Sequence, residues 1–183
     1  MKLLLTAINA IYIHSNLAVY NLKACAGAFG SQVELAEVTI NHRIDYIVKE
    51  IYKRKPEVLC FSCYIWNYEY VKEIADEFHR LCPDVPVWFG GPEVSYEIPL
   101  VFKENPCLTG VMIGEGEVTF WHLASHYCTG EPALSAIRGI AFCSRTGQDR
   151  GDYVMTPPAE LVDLDAIPFY YRQEPDDFAN RIL

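Results

Sequence analysis

Apolar runs just long enough for a strand alternate with segments of helical period along most of this chain, and that alternation constrains the fold more than any single motif. "KLLLTAI" (2–8) is a continuous apolar run, as a strand buried on both faces requires. "LAVYNLKACAGAF" (17–29) follows, with Leu17, Tyr20, Ala24 and Ala28 at helical spacing and Gly30 as its stop. "QVELAEVTI" (32–40) alternates as a strand does. "RIDYIVKEIYKRK" (43–55) places Ile44, Ile47, Val48 and Ile51 on one helical face and ends in basic residues that suit a helix C-terminus. The same reading gives strands within 57–64, 85–91, 109–117 and 137–144, and helices over 68–83 and 118–127. A less regular helical stretch covers 93–105, broken near Pro99.

Such alternation builds βαβ units with right-handed crossovers. The expected fold is α/β: a flavodoxin-like (Rossmann-like), doubly wound parallel sheet of order 2-1-3-4-5, in three α/β/α layers. A closed barrel needs eight such units. Ligands of these sheets sit at the carboxyl ends of the strands, around the switch between strands 1 and 3. That rule singles out loops 9–16, 62–67, 90–95 and 114–118. From about Arg145 the pattern stops in a Pro-, Asp- and Arg-rich stretch. We therefore expect a domain over 1–145 and an extended connector over 146–183.

Composition narrows the functions. Of 183 residues, 51% are hydrophobic and 21% charged, a globular balance. A net charge of −9 argues against a nucleic-acid surface. No run approaches the ~18 apolar residues of a membrane span. The start, "MKLLLTAINAIYIH", has one Lys and no small-residue cleavage site, and Thr6 and Asn9 interrupt it, so it reads as a strand rather than a secretion signal. Seven scattered cysteines fit free thiols in a reducing compartment. A cytoplasmic protein with no membrane or nucleic-acid partner is expected.

Cys60 and Cys63 form a Cys-x-x-Cys with no companion pair, and strand alternation puts them on opposite faces, which favours buried free thiols over a metal or redox site. Gly90-Gly91-Pro92 and Gly114-Glu115-Gly116 each follow a strand. Neither is a dinucleotide fingerprint or a phosphate loop, and Glu115 and Glu117 would repel phosphate. Each is either an ordinary turn or a place where a ligand approaches the backbone, and two in successive crossovers favour a large ligand. Ser62, at the end of strand 3, either donates to such a ligand or caps its own loop. Tyr64, Trp66, Tyr68 and Tyr70 make the next segment aromatic, as core or as cover for a flat ligand. A phosphoacceptor Asp after strand 3 is absent, which excludes a receiver domain, and no Ser/Thr-rich phosphate loop follows strand 1.

Together the loops resemble the cobalamin-binding domain at the N-terminus of many radical-SAM enzymes, over roughly residues 1–150. The segments that carry the resemblance are "NAIYIHSNLAVYNLKA", "FSCYIWN", "WFGGPEVS" and "IGEGEVTFWHL", with "LVDLDAIPFY" (161–170) similar to the linker that leads to the radical-SAM barrel. The resemblance implies a cobalamin site formed by Tyr12, His14, Ser62, Tyr64, Gly90, Gly91, Glu93, Gly114, Glu115 and Gly116. In the wider family an Asp-x-His-x-x-Gly motif supplies a histidine to cobalt. Here His14 is kept, with Tyr12 for the Asp and Leu17 for the Gly. A metal-bound imidazole needs its other nitrogen held, so His14 is either the cobalt ligand or a residue at the corrin edge.

The Cys-x-x-x-Cys-x-x-Cys that holds a radical-SAM iron–sulfur cluster is absent, and the chain ends at Leu183 within the connector. The implied function is a cobalamin-binding module, without activity of its own, that presents the corrinoid to a C-terminal radical-SAM domain. The [4Fe-4S] cluster and S-adenosylmethionine would belong to the full-length parent. Two alternatives remain: a cofactor-free docking or scaffold domain, and a stand-alone enzyme with Cys63 as nucleophile.

Overall fold

The computed structural model describes residues 1–10, 15–143, 152–161, 163, 167 and 168. In order, its elements are β1 (Leu3–Asn9), α1 (Leu17–Cys25), β2 (Val33–Thr39), α2 (Ile44–Arg54), β3 (Val58–Ser62), α3 (Tyr68–Leu81), β4 (Val87–Gly90), α4 (Ile98–Glu104), β5 (Gly110–Met112), α5 (Glu117–Thr129), β6 (Ile140–Cys143) and β7 (Tyr153–Met155). The sheet runs β2-β1-β3-β4-β5-β6-β7. The first five strands pair in parallel in the order 2-1-3-4-5, as the alternation predicts, and β6 and β7 extend the sheet antiparallel.

Both faces of the sheet are covered, which is why β1, β3 and β4 at its centre read as nearly unbroken apolar runs. On one face Leu4, Ile8, Leu59, Phe61, Phe89 and Val111 pack with Ile47, Ile51, Val71, Ile74, Phe78 and Val101 of α2, α3 and α4. On the other, Leu3, Leu5, Cys60, Trp88 and Met112 pack with Val19 and Tyr20 of α1 and Phe120 and Leu123 of α5. No helix among the described residues is long and apolar enough to cross a membrane.

Three boundaries differ from expectation. Helix α1 ends at Cys25 rather than near Gly30, because Gly27 takes a left-handed φ of 55° and the chain tightens into a 3₁₀ turn over Gly27–Gln32. Pro99 does not break a helix but lies in the first turn of α4, where a missing N–H costs nothing. Beyond Arg145, where no strand is expected, Tyr153–Met155 forms the edge strand β7. Most of the linker-like segment 161–170 lies outside the described residues.

Candidate functional site

At the carboxyl edge, adjacent residues of β1, β3, β4 and β5 form a row: Ala7 pairs with Ser62, Ser62 with Gly90, and Gly90 with Met112. Three of these four side chains are small or absent, so the sheet cannot fill the space beneath α1. A cavity of about 420 Å³ opens there. Its floor is Leu5, Cys60, Ser62, Gly90 and Met112, and α1 supplies Ala18, Val19 and Leu22 as a wall. Tyr64, Gly91, Ser95, Tyr96 and the segment Gly114–Glu117 form the mouth.

The two glycines after β4 do different work. A Cβ on Gly90 would stand on the cavity side, 3.1 Å from the Met112 methyl group. A Cβ on Gly91 would lie 2.5 Å from the Cys63 carbonyl oxygen, and Gly91 has a φ of 110° that side-chain-bearing residues rarely adopt. The loops are tied to each other by side chains that sequence reasoning passed over. The Ser95 hydroxyl donates to the Gly91 carbonyl at 2.8 Å and accepts the Gly114 N–H at 3.2 Å, which joins the two glycine turns.

Two buried polar groups brace the rest of this edge. Asn67 precedes α3, where an Asn side chain usually caps the helix, but here it turns back to the sheet. Its Nδ2 donates to the carbonyls of Ile8 and Ser62, each at 3.0 Å, and its Oδ1 accepts the Tyr64 N–H at 2.8 Å. Glu37, on β2, accepts from Asn9 Nδ2 at 3.0 Å, from the Asn16 N–H at 2.8 Å and from the Tyr20 hydroxyl. It therefore holds both ends of the segment between β1 and α1. Its only sequence signal is an acidic residue inside a strand expected to be buried.

The structure thus brings Ser62, Tyr64, Gly90, Gly91, Gly114, Glu115 and Gly116 to one cavity. Glu93 is not among its lining residues; it is exposed on the 3₁₀ turn Pro92–Val94, with its N–H 3.5 Å from the Cys63 carbonyl oxygen. Tyr12 and His14 lie outside the described residues. Tyr64 and Trp66 stack with ring centroids 4.5 Å apart at the rim, where Tyr96 is 85% exposed. Tyr68 and Tyr70 instead turn to the α3 side of the sheet, Tyr68 packing edge-on against Phe89.

Cys60 and Cys63 fall on opposite faces, as alternation requires. Burial pushes the Cys60 thiol up to about 12 and raises that of Cys63 as well. Cys63 is fully buried, so it presents no thiolate to a substrate. Among the described residues no cluster of His, Cys, Asp and Glu is suited to a metal ion.

An open, doubly wound sheet with an apolar slot running from its carboxyl edge under α1 defines a ligand-binding domain of flavodoxin-like type. The family model for the B12 binding domain matches residues 4–124, and the chain belongs to that family. It is 32% identical over 87 residues to the cobalamin-dependent radical SAM methyltransferase TokK of Streptomyces tokunonensis, covering 48% of this chain and 13% of that protein. It is 26% identical over 149 residues to the anaerobic magnesium-protoporphyrin IX monomethyl ester cyclase of Rubrivivax gelatinosus, covering 78% of this chain and 25% of the cyclase. Among solved structures, the cobalamin-dependent S-adenosylmethionine radical enzyme OxsB with aqua-cobalamin and S-adenosylmethionine bound superposes with a TM-score of 0.69. That match has 18% identity and covers 87% of this chain and 22% of OxsB, a likeness of fold.

Proposed function

We propose that this domain holds cobalamin over the carboxyl edge of its sheet, with the nucleotide tail running down the slot between the sheet and α1, past Ser62, Gly90, Gly91 and Gly114. The observation that carries the reading is the Ala7–Ser62–Gly90–Met112 row, which leaves room for a planar group in a family that binds B12. Gly114 and Gly116 keep the mouth low, and the stacked Tyr64–Trp66 pair gives the corrin an apolar border. When bound, the corrinoid supplies a cobalt centre able to carry an alkyl group. The chain's own part is to bind, orient and shield.

In a longer parent, the domain presents the corrinoid to a radical-SAM domain that holds a [4Fe-4S] cluster and S-adenosylmethionine, for methyl transfer or other radical chemistry. This is supported by relatives of which the chain spans only 13% and 25%. His14 is proposed as the cobalt ligand or as a contact at the corrin edge. Nitrogen splitting in the paramagnetic resonance spectrum of the reduced, bound cofactor, lost in His14→Ala, identifies the first.

The test is retention of the corrin absorbance through gel filtration after mixing the protein with hydroxocobalamin. Complete loss of colour at micromolar protein, with intact folding by circular dichroism, overturns the reading in favour of a cofactor-free docking domain.

A further inference from the structure

The slot has a chemical character that bears on which corrinoid it takes. Corrinoids share a macrocycle and differ in the group that ends the nucleotide tail, such as a benzimidazole or a purine. Of the lining residues on the sheet and α1, Leu5, Val19, Cys60 and Met112 are buried and Leu22 half-buried, and the one hydroxyl beside them is that of Ser62. Cys60 is a buried, protonated thiol and a weak hydrogen-bond donor. The remaining polar side chains, Tyr64, Ser95, Tyr96, Glu115 and Glu117, stand at the mouth, and the Ser95 oxygen already joins two loops.

Resting on the cobalamin reading, we infer that this slot selects the tail base, taking dimethylbenzimidazole and discriminating against adenine. The two methyl groups of dimethylbenzimidazole gain by burial against Leu5, Val19, Leu22 and Met112. An adenine in the same place buries an exocyclic amine and additional ring nitrogens, for which Ser62 offers one partner at most. Each polar group left unpaired weakens binding by roughly tenfold or more. An apolar pocket rejects a polar analogue of similar shape by no more than about a hundredfold, which sets the upper scale of the effect.

The experiment titrates the full chain, by its intrinsic fluorescence and by calorimetry, with three corrinoids: cobalamin, its adenine-tailed analogue and tailless cobinamide. Cobalamin is expected to bind tightest, with the adenine-tailed form at least roughly tenfold weaker. Leu22→Gln, which adds a donor and an acceptor to the wall, should close most of that gap while circular dichroism shows the fold retained. Met112→Gln is the second variant should Leu22→Gln unfold. Equal affinity for the two tailed corrinoids, no advantage of cobalamin over cobinamide, or an unchanged gap in a folded variant overturns the inference and leaves the cobalamin reading standing. Binding of none of the three overturns both.

Discussion

The two faces of the sheet answer the same strand positions differently. On the α2–α4 side the row Thr6–Phe61–Phe89–Val111 carries large side chains, and Phe61 and Phe89 meet edge-on with centroids 5.9 Å apart. One residue further along the same strands, Ala7–Ser62–Gly90–Met112 leaves a cavity of about 420 Å³ on the α1 side. Because side chains alternate along a strand, stability and binding are carried by neighbouring residues without competing for space. The pocket is an omission of side chains from one face, backed by dense packing on the other.

That division predicts opposite outcomes for adjacent substitutions. Phe89→Ala opens a void in the packed face and should destabilise the domain by about 3–5 kcal/mol in urea denaturation; a loss below about 1 kcal/mol would mean the two faces are equally loose. Gly91→Ala should cost about 3 kcal/mol, since the added methyl meets the Cys63 carbonyl oxygen at 2.5 Å in a left-handed backbone. Its neighbour is the contrast. Gly90→Ala crowds the flexible end of Met112 at 3.1 Å and meets the rest of that residue at ordinary contact distances, so it should cost less than about 1 kcal/mol. If Gly90→Ala proved as damaging as Gly91→Ala, the cavity side would be as constrained as the turn that Gly91 makes against the Cys63 backbone.

Asn67 tests whether the edge is braced independently of either face. Asn67→Ala removes three hydrogen bonds and leaves the Ile8 and Ser62 carbonyls without this partner, for an expected loss of about 2 kcal/mol. Hydrogen exchange should quicken at the Tyr64 N–H in the same variant, while amides of β4 and β5 hold their protection.

The parallel order and the glycine turns were legible because they follow from local period and from residues beside strand ends. The braces were not. The burial of Glu37 depends on the pairing of β2 with β1 and on Asn16 and Tyr20, which arrive from a different element. Asn67 looks like an ordinary residue before a helix, and only the tertiary fold puts the carbonyls of β1 and β3 within its reach. The antiparallel direction of β6 was equally hidden, since an apolar run of four residues has no sense of direction. At three residues, β7 is too short for any period to show. Glu93, which the resemblance implies as a site residue, stands on the 3₁₀ turn outside the lining of the cavity.

The smallest expected effect is also the sharpest on the comparison, because it sets one hydroxyl on each face side by side. Thr6, in the packed row, is 1% exposed, and its hydroxyl has no hydrogen-bond partner among the described residues. Ser62, in the open row one position along, lines the cavity. An unpaired buried hydroxyl carries a desolvation cost that a methyl group of the same shape does not. Thr6→Val should therefore leave stability unchanged or raise it by up to about 1 kcal/mol, whereas Ser62→Ala should stay within about 0.5 kcal/mol of the parent and weaken cobalamin retention instead. A Thr6→Val variant destabilised by more than about 1 kcal/mol would require a partner for that hydroxyl, such as a buried water, and the dense face would then hold a polar site of its own.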